Sequence, residues 1–285
     1  MQKKDWKMEI RSKEAIVTFR NLGAEIMSFK KSDADIEHMW QGDPKYWQGR
    51  NPILFPIVGN TYSKDYMIDG VVYAMGNHGL TRHMDFEVVS ESSDSITFMT
   101  KSNSDTLKQY PFEFKMLVEY SLQGTKLTIK YTIENTGDKV MPFTFGLHPG
   151  FNVPLASGKF SDYSLVFEKE ENPIQLVLDD KVEVAAFKEI KLDYEVFNKY
   201  KTLVYENLVS DYVQLTNGKE GLEVGIAGYP YLAFWCGESA PFLCIEPWYG
   251  LGDVKENDCK FEDRIGMKSL PLNGSFETEY YIKLL

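Results

Sequence analysis

The sequence predicts an all-β protein, a single large antiparallel β-sandwich or barrel with only a few short helical turns. Three observations support this prediction. Aromatic residues make up 14% of the chain, and Tyr and Phe are typical of half-buried strand surfaces. Apolar and polar residues alternate with a period of two over long segments. Glycine-containing turns recur beside these segments, and no alternation of strands with long helices indicates a parallel sheet.

The clearest strand signal is a hairpin over residues 112–134. Apolar residues occupy every second position on both sides of a turn centred on Gly124. Such alternation is typical of an antiparallel pair with one buried face and one solvated face.

Shorter segments complete the predicted sheet. Strands are predicted at residues 14–20, 86–89, 96–100, 163–168, 212–216 and 279–284, and turns at 69–70, 136–138, 217–218 and 273–274. Single helical turns are predicted at residues 106–109 and 198–201. No linker rich in Ser, Gly or Pro divides the chain, so we expect one domain over residues 1–285.

Charge and composition narrow the classes of partner. The net charge of −11 disfavours phosphate backbones and anionic lipid, so neither a nucleic acid nor a membrane is expected as a partner. No secretory signal is visible at the start, and the three cysteines (Cys236, Cys244 and Cys259) lack metal-ligand spacing. We therefore expect a cytoplasmic protein with reduced thiols and no metal site. The sequence leaves monomer and homodimer open.

His148 is the strongest candidate among the four histidines. An alternating apolar strand ending at Leu147 delivers this imidazole to a break at Pro149 and Gly150. Irregular backbone at the end of a rigid strand is a common place for a site. His38, in contrast, is expected to be a structural residue near a surface turn.

Arginine is scarce, with five residues against twenty-six lysines. Because the guanidinium is a forked donor, a chain rich in Lys can reserve Arg for fixed hydrogen bonding. Arg50 and Arg82 are therefore candidates, with a surface ion pair as the alternative for each. Glu246 ends an apolar run and is either a solvated strand end or a desolvated acid or base. The neighbouring Trp248 favours the second interpretation, because sugar C–H faces pack on indole rings.

Six short segments together resemble the aldose 1-epimerase (galactose mutarotase-like) family, particularly its shorter bacterial branch. They occur in the family's order along the chain: LGAEIMSF at 22–29, WQGDPKYW at 40–47, GRNPILFPIVG at 49–59, HGLTR at 78–82, HPGFN at 148–152 and CIEPW at 244–248. The resemblance implies a β-supersandwich with an open cleft. It also implies a reaction that interconverts the α and β anomers of a free aldohexose without a cofactor or metal.

The resemblance also implies roles for individual residues. Glu246 matches the general base that removes the C1 hydroxyl proton, and His148 matches the general acid that protonates the ring oxygen. His78 matches a histidine that holds the sugar, and Arg50 and Arg82 match substrate-contacting arginines. Ring opening moves one proton off O1 and one onto the ring oxygen, so one base and one acid suffice.

Alternatives remain at this stage. The substrate is a monosaccharide that is either free or phosphorylated, and Arg50 and Arg82 would clamp a phosphate in a hexose-6-phosphate 1-epimerase. A non-catalytic carbohydrate-binding protein of the same fold is another alternative. A glycoside hydrolase needs a second carboxylate, for which Asp253 and Asp263 are candidates. Longer family members use a further sugar-contacting carboxylate, for which the sequence offers only Asp211 and Glu223.

Overall fold

A computed structural model of the chain describes residues 8–178, 180–254 and 260–285. Residues 1–7 lie outside these ranges, so the expectation that they form no secretory signal concerns residues that are not described. Cys259 also lies outside these ranges. The strands of the described residues are numbered in chain order: β1 Met8–Arg11, β2 Ala15–Phe19, β3 Ile26–Lys31, β4 Ile53–Leu54, β5 Asp65–Ile68, β6 Val71–Ala74, β7 Glu87–Glu91, β8 Ser95–Lys101, β9 Phe114–Gln123, β10 Lys126–Asn135, β11 Met141–Phe143, β12 Gly146–Leu147, β13 Gly150–Asn152, β14 Ser164–Glu171, β15 Ile174–Val177, β16 Asp180–Glu183, β17 Phe187–Lys191, β18 Thr202–Glu206, β19 Tyr212–Thr216, β20 Gly221–Gly225, β21 Tyr231–Trp235, β22 Phe242–Trp248, β23 Lys268–Leu270 and β24 Ser275–Leu284.

Two large antiparallel sheets dominate the fold. One has nine strands in the order β17-β14-β19-β20-β24-β10-β9-β8-β7, and the other has eight, in the order β16-β15-β18-β21-β22-β12-β4 with β13 also paired to β22. A three-stranded sheet (β1-β2-β3) and two two-stranded sheets (β5-β6 and β11-β23) complete the described structure. The all-β prediction is therefore confirmed, and the predicted hairpin is the β9–β10 pair.

The two large sheets pack face to face around one apolar core. Phe167 of β14 and Phe234 of β21 meet across the layers with ring centroids 6.2 Å apart. The smaller three-stranded sheet joins this core, because the rings of Phe19 on β2 and Tyr120 on β9 are in contact, with centroids 4.6 Å apart. Alternating burial along β9 places every second side chain in the core, as expected for a sheet with one buried face.

Helical structure is limited to two short α-helices and three 3-10 turns in the described residues. The helices are α1 Ser104–Leu107 and α2 Tyr194–Tyr200, and the turns are Thr81–His83, Phe160–Asp162 and Phe261–Asp263. Helix α1 begins two residues before the predicted turn, because the side chain of Asn103 caps its N-terminus. Helix α2 begins four residues earlier than predicted, because Asp193 accepts a hydrogen bond from Glu195 N and so starts the helix there. No helix in the described ranges is long and apolar enough to cross a membrane.

Candidate active site

His148 and Glu246 face each other within the eight-stranded sheet. Gly146 lies opposite Trp248, and Gly150 lies opposite Cys244. The antiparallel register is therefore continuous across the gap between β12 and β13. His148 occupies that gap, directly across from Glu246. The Nε2 atom of His148 lies 3.2 Å from Oε2 of Glu246. The predicted end of the apolar strand before His148 is confirmed, but Glu246 lies inside β22 rather than at a strand end.

Both groups of this pair are buried. Glu246 is 1% exposed and His148 is 8% exposed. Burial raises the pKa of the Glu246 carboxyl well above its ordinary value of 4.5. Burial, with a smaller contribution from the neighbouring His78, lowers the pKa of His148 well below 6.5. Burial therefore favours the neutral forms of both groups over an ion pair across the 3.2 Å contact.

The carboxylate oxygens of Glu246 have no hydrogen-bond partner in the described part of the protein, and neither does Nδ1 of His148. The close approach of His148 and Glu246 thus lacks the angles of a hydrogen bond. A buried carboxyl without partners is costly, and such groups are typical of sites that bind a polar ligand.

Two indole rings enclose the imidazole of His148. Trp47 lies against it with ring centroids 4.8 Å apart and a tilt of 30°, and Trp235 approaches edge-on at 5.6 Å. Trp47 belongs to the loop between β3 and β4, where its carbonyl accepts a hydrogen bond from Trp40 Nε1. Gly150 lets this ring approach the backbone closely, because a Cβ there would lie 3.1 Å from the Trp47 ring and would force a small shift of its neighbours.

His78 approaches the ring of His148 from the segment after β6. Its ring lies 5.5 Å from that of His148, and its Nδ1 accepts a hydrogen bond from Gly59 N. Since Nδ1 accepts, neutral His78 carries its proton on Nε2 and can donate it to a ligand. Burial, followed by the charge of Arg82, lowers the pKa of His78 to about 4.

Comparison with known proteins is consistent with this arrangement. The family described as aldose 1-epimerase matches residues 7–204. The chain belongs to the aldose 1-epimerase family. This match includes His148 but ends before Glu246. The chromosomal LacX protein of Lactococcus lactis subsp. lactis is 32% identical, covering 98% of this chain and 99% of LacX.

Solved structures of this family share the fold. A galactose mutarotase related enzyme from Lactobacillus acidophilus has a TM-score of 0.91 at 31% identity, covering 98% of this chain and 97% of that protein. A galactose mutarotase-like protein from Lactobacillus casei ATCC 334 also has a TM-score of 0.91, at 28% identity, covering 98% of this chain and 100% of that protein. The predicted galactose mutarotase-like fold is thus confirmed.

Of the two arginines expected from the family resemblance, Arg82 lies near His78 and His148, whereas the guanidinium of Arg50 lies against the backbone of Trp40. Arg82 is half-buried, and its charge lowers the pKa values of His78 and His148. Arg50 donates to Trp40 O over 3.3 Å. Within the described ranges neither guanidinium forms an ion pair, although the buried carboxylate of Glu25 lies near both and pairs with another arginine.

The structure places Trp248 differently from the sequence interpretation. Its indole is 8% exposed and packs in an apolar cluster that includes Leu54 and Val58. Trp248 Nε1 is close enough to Glu246 to lower the carboxyl pKa slightly but makes no hydrogen bond of standard geometry. Little of this ring is therefore available to a sugar face, and the indoles that contact the ring of His148 are those of Trp47 and Trp235.

Other sequence candidates lie elsewhere in the fold. Glu223 is in the nine-stranded sheet, where it accepts hydrogen bonds from Gln214 and Tyr281, and Asp211 is exposed beside Lys169. Asp253, the hydrolase alternative, forms an ion pair with Arg264. These contacts commit the three carboxylates to other parts of the molecule.

His38 is a structural residue, as predicted, but it is buried rather than at the surface. It is 4% exposed, and its Nδ1 lies 3.2 Å from Phe29 O. The sequence interpretation also missed Trp47, Trp235 and Cys244 as neighbours of the pair. Cys244 could have been found from the strand period, since it stands two residues before Glu246 and so shares its face.

Proposed function

We propose that this protein is an aldose 1-epimerase that interconverts the α and β anomers of a free aldohexose. The observation that carries the proposal is the buried, unpartnered His148–Glu246 pair, with its 3.2 Å contact. O1 and the ring oxygen are bonded to the same carbon. A base and an acid that are this close can therefore each contact one of the two oxygens.

Glu246 acts as the base and His148 as the acid. The Glu246 carboxylate takes the proton from the C1 hydroxyl, and the imidazolium of His148 gives a proton to the ring oxygen as the C1–O bond breaks. Rotation about C1–C2 presents the other face of the aldehyde. On closure, the Glu246 carboxyl returns its proton to O1 and the neutral imidazole of His148 takes the proton back from the ring-oxygen hydroxyl, so the pair ends as it began.

The electrostatics of the pair fit both halves of this cycle. Ring opening uses a carboxylate and an imidazolium, whereas ring closure uses a carboxyl and a neutral imidazole. The two states hold the same single proton, and they differ only in which of the two groups carries it. Burial favours the neutral state, and the polar hemiacetal replaces lost solvation when the sugar binds.

The remaining residues hold the sugar. His78 donates from Nε2, and the rings of Trp47 and Trp235 provide apolar walls for its C–H faces. Arg50 and Arg82 supply forked donors to hydroxyl oxygens. Trp248 contributes its N–H beside Glu246 rather than a stacking face.

The test is the equilibration of freshly dissolved α-D-glucose and α-D-galactose, followed by polarimetry with and without the protein. We expect the optical rotation to reach its equilibrium value faster in proportion to protein concentration. Tight binding of these sugars without any acceleration would instead support a carbohydrate-binding protein.

A hexose-6-phosphate 1-epimerase is a second candidate, favoured by the two arginines. Arg50 and Arg82 form no ion pair in the described residues, in a chain whose net charge is −11. Guanidiniums that have no carboxylate partner in the described residues are suited to a phosphate. The two candidates are separated by initial rates on α-D-glucose and α-D-glucose 6-phosphate. A preference for the phosphate that disappears in Arg82→Gln would favour the second.

A further inference from the structure

Cys244 lies beside the proposed acid and base but has no part in the reaction. It stands two residues before Glu246 on β22, so both side chains leave the same face of the strand. Its backbone pairs with Gly150 on one side and Trp235 on the other. The side chain is fully buried, and its sulfur is a free thiol.

Three donor atoms converge at this point. The sulfur of Cys244, a ring nitrogen of His148 and a carboxylate oxygen of Glu246 all lie within 4.8 Å of one another. Around a tetrahedral ion with bonds of about 2.0–2.3 Å, ligand atoms are separated by roughly 3.3–3.8 Å. The 3.2 Å contact of His148 and Glu246 already has nearly this spacing. The sulfur of Cys244 would have to move about 1 Å closer to the other two donor atoms, by a rotation of its side chain.

The donors are also available to a ligand. Both oxygens of Glu246 are buried and make no hydrogen bond in the described ranges, so no protein donor has to be displaced. A thiolate, a carboxylate and a neutral imidazole together balance the charge of a divalent ion. A site with no net charge is favoured in such a buried place.

We propose that His148, Cys244 and Glu246 form a binding site for a thiolate-preferring divalent cation, Zn²⁺ or Cd²⁺, with a fourth position open to water. One nitrogen, one sulfur and one oxygen ligand select these ions over Mg²⁺ and Ca²⁺, which prefer oxygen alone. Binding releases the thiol proton and the carboxyl proton to solvent. Because the ion occupies the acid and the base, it inhibits the epimerase; that consequence rests on the proposed function, whereas the binding site does not.

The binding experiment uses the full chain after treatment with a chelator, with Cys236 and Cys259 replaced by Ala so that Cys244 is the single thiol. Titration with Cd²⁺ is expected to produce a thiolate-to-cadmium absorption band in the ultraviolet that saturates at one ion per chain. Cys244→Ser should abolish the band. Cys236→Ala alone is the matched control, because this buried thiol lies outside the trio, and it should leave binding unchanged.

The kinetic experiment measures Zn²⁺ inhibition of anomer equilibration. Inhibition should be competitive with sugar and reversed by the chelator. Cys244→Ser or Cys244→Ala should keep turnover and need at least about 10–100-fold more Zn²⁺ for the same inhibition, since even outer contacts of a metal site are worth that much. The site would be overturned if Cys244→Ser bound Cd²⁺ as well as the protein that keeps Cys244. It would also be overturned if Zn²⁺ inhibited Cys244→Ser and the parent equally. A saturable thiolate–cadmium band in a protein without epimerase activity would support the site and refute the proposed function alone.

Discussion

Nε2 of His148 lies 3.2 Å from Oε2 of Glu246 because the two residues stand opposite each other across one interrupted antiparallel ladder. The ladder is paired at Gly146 and again at Gly150, so the position of His148 along the strand is fixed. Pro149 contributes by accepting a hydrogen bond from the β22 backbone at Ile245. A rigid sheet thus fixes the proposed acid and base, whose positions would be poorly defined on a loop.

Replacement of Glu246 by Gln tests the base. Because the carboxyl is neutral and buried in the resting protein, Glu246→Gln should preserve the fold. It should lower kcat by about 10²–10⁴-fold, the usual contribution of a positioned base. Polarimetry measures the rate, and thermal unfolding checks the fold.

Glu223→Gln is the matched control for this change. Glu223 is also a buried glutamate within a strand, but it lies in the other large sheet with Tyr281 and Gln214 as partners. It should retain the parent's rate. Equal activity of Glu246→Gln and the parent would remove Glu246 from the mechanism.

The pH dependence of the rate should be a broad plateau. The His148–Glu246 pair is active while it holds one proton. It gains a second proton only below the lowered pKa of His148, and it loses its last only above the raised pKa of Glu246. The acid limb should therefore lie below 6.5, the ordinary histidine value. The profile is measured with kcat/KM in the presence of a chelator, and an acid limb with its midpoint at pH 6.5 or higher would contradict this account.

His78 should make the protein sensitive to acid. Its pKa is about 4 in the folded state and near 6.5 in the unfolded state. The unfolded chain therefore binds more protons between these values, and stability falls as the pH drops from 6.5 towards 4. Urea unfolding at pH 7 and pH 5 should show a smaller loss for His78→Gln than for the parent. The pKa of the exposed His83 is lowered less, by partial burial and then by the charge of Arg82, so His83→Gln should reduce the loss of stability less than His78→Gln does. A loss in His78→Gln equal to that of the parent would show that His78 does not cause the acid sensitivity.

The sequence predicted the alternating parts of the fold well and the continuous apolar parts poorly. β9 has one buried face, so its period of two is visible in the sequence. β22 is buried along its whole length, so no alternation marks its end, and Glu246 was placed at a strand end instead of inside. The predicted helical turn is shorter than helix α2, because the prediction does not include the N-terminal cap that Asp193 provides.

Part of the site could be identified from the sequence, and part could not. His148 stands at a visible break between an apolar strand and Pro149, and short motifs carry the family resemblance. Trp47 and Trp235 reach the imidazole through loop packing and cross-strand register. Neither relationship leaves a signal in linear spacing, because it depends on which strands become neighbours.

Trp47 should set both the affinity for sugar and the acid limb of the rate profile. Its ring covers His148, and removing it exposes the imidazole to water, which favours the charged form and raises the pKa of His148 towards 6.5. Trp47→Ala should therefore shift the acid limb to higher pH. It should also raise KM by about 2–10-fold, the equivalent of an aromatic contact of roughly 0.5–1.5 kcal/mol. Trp47→Phe, which keeps a ring over the imidazole, should stay close to the parent in both measurements. An acid limb that stays in place in Trp47→Ala would show that this indole does not control the solvation of His148.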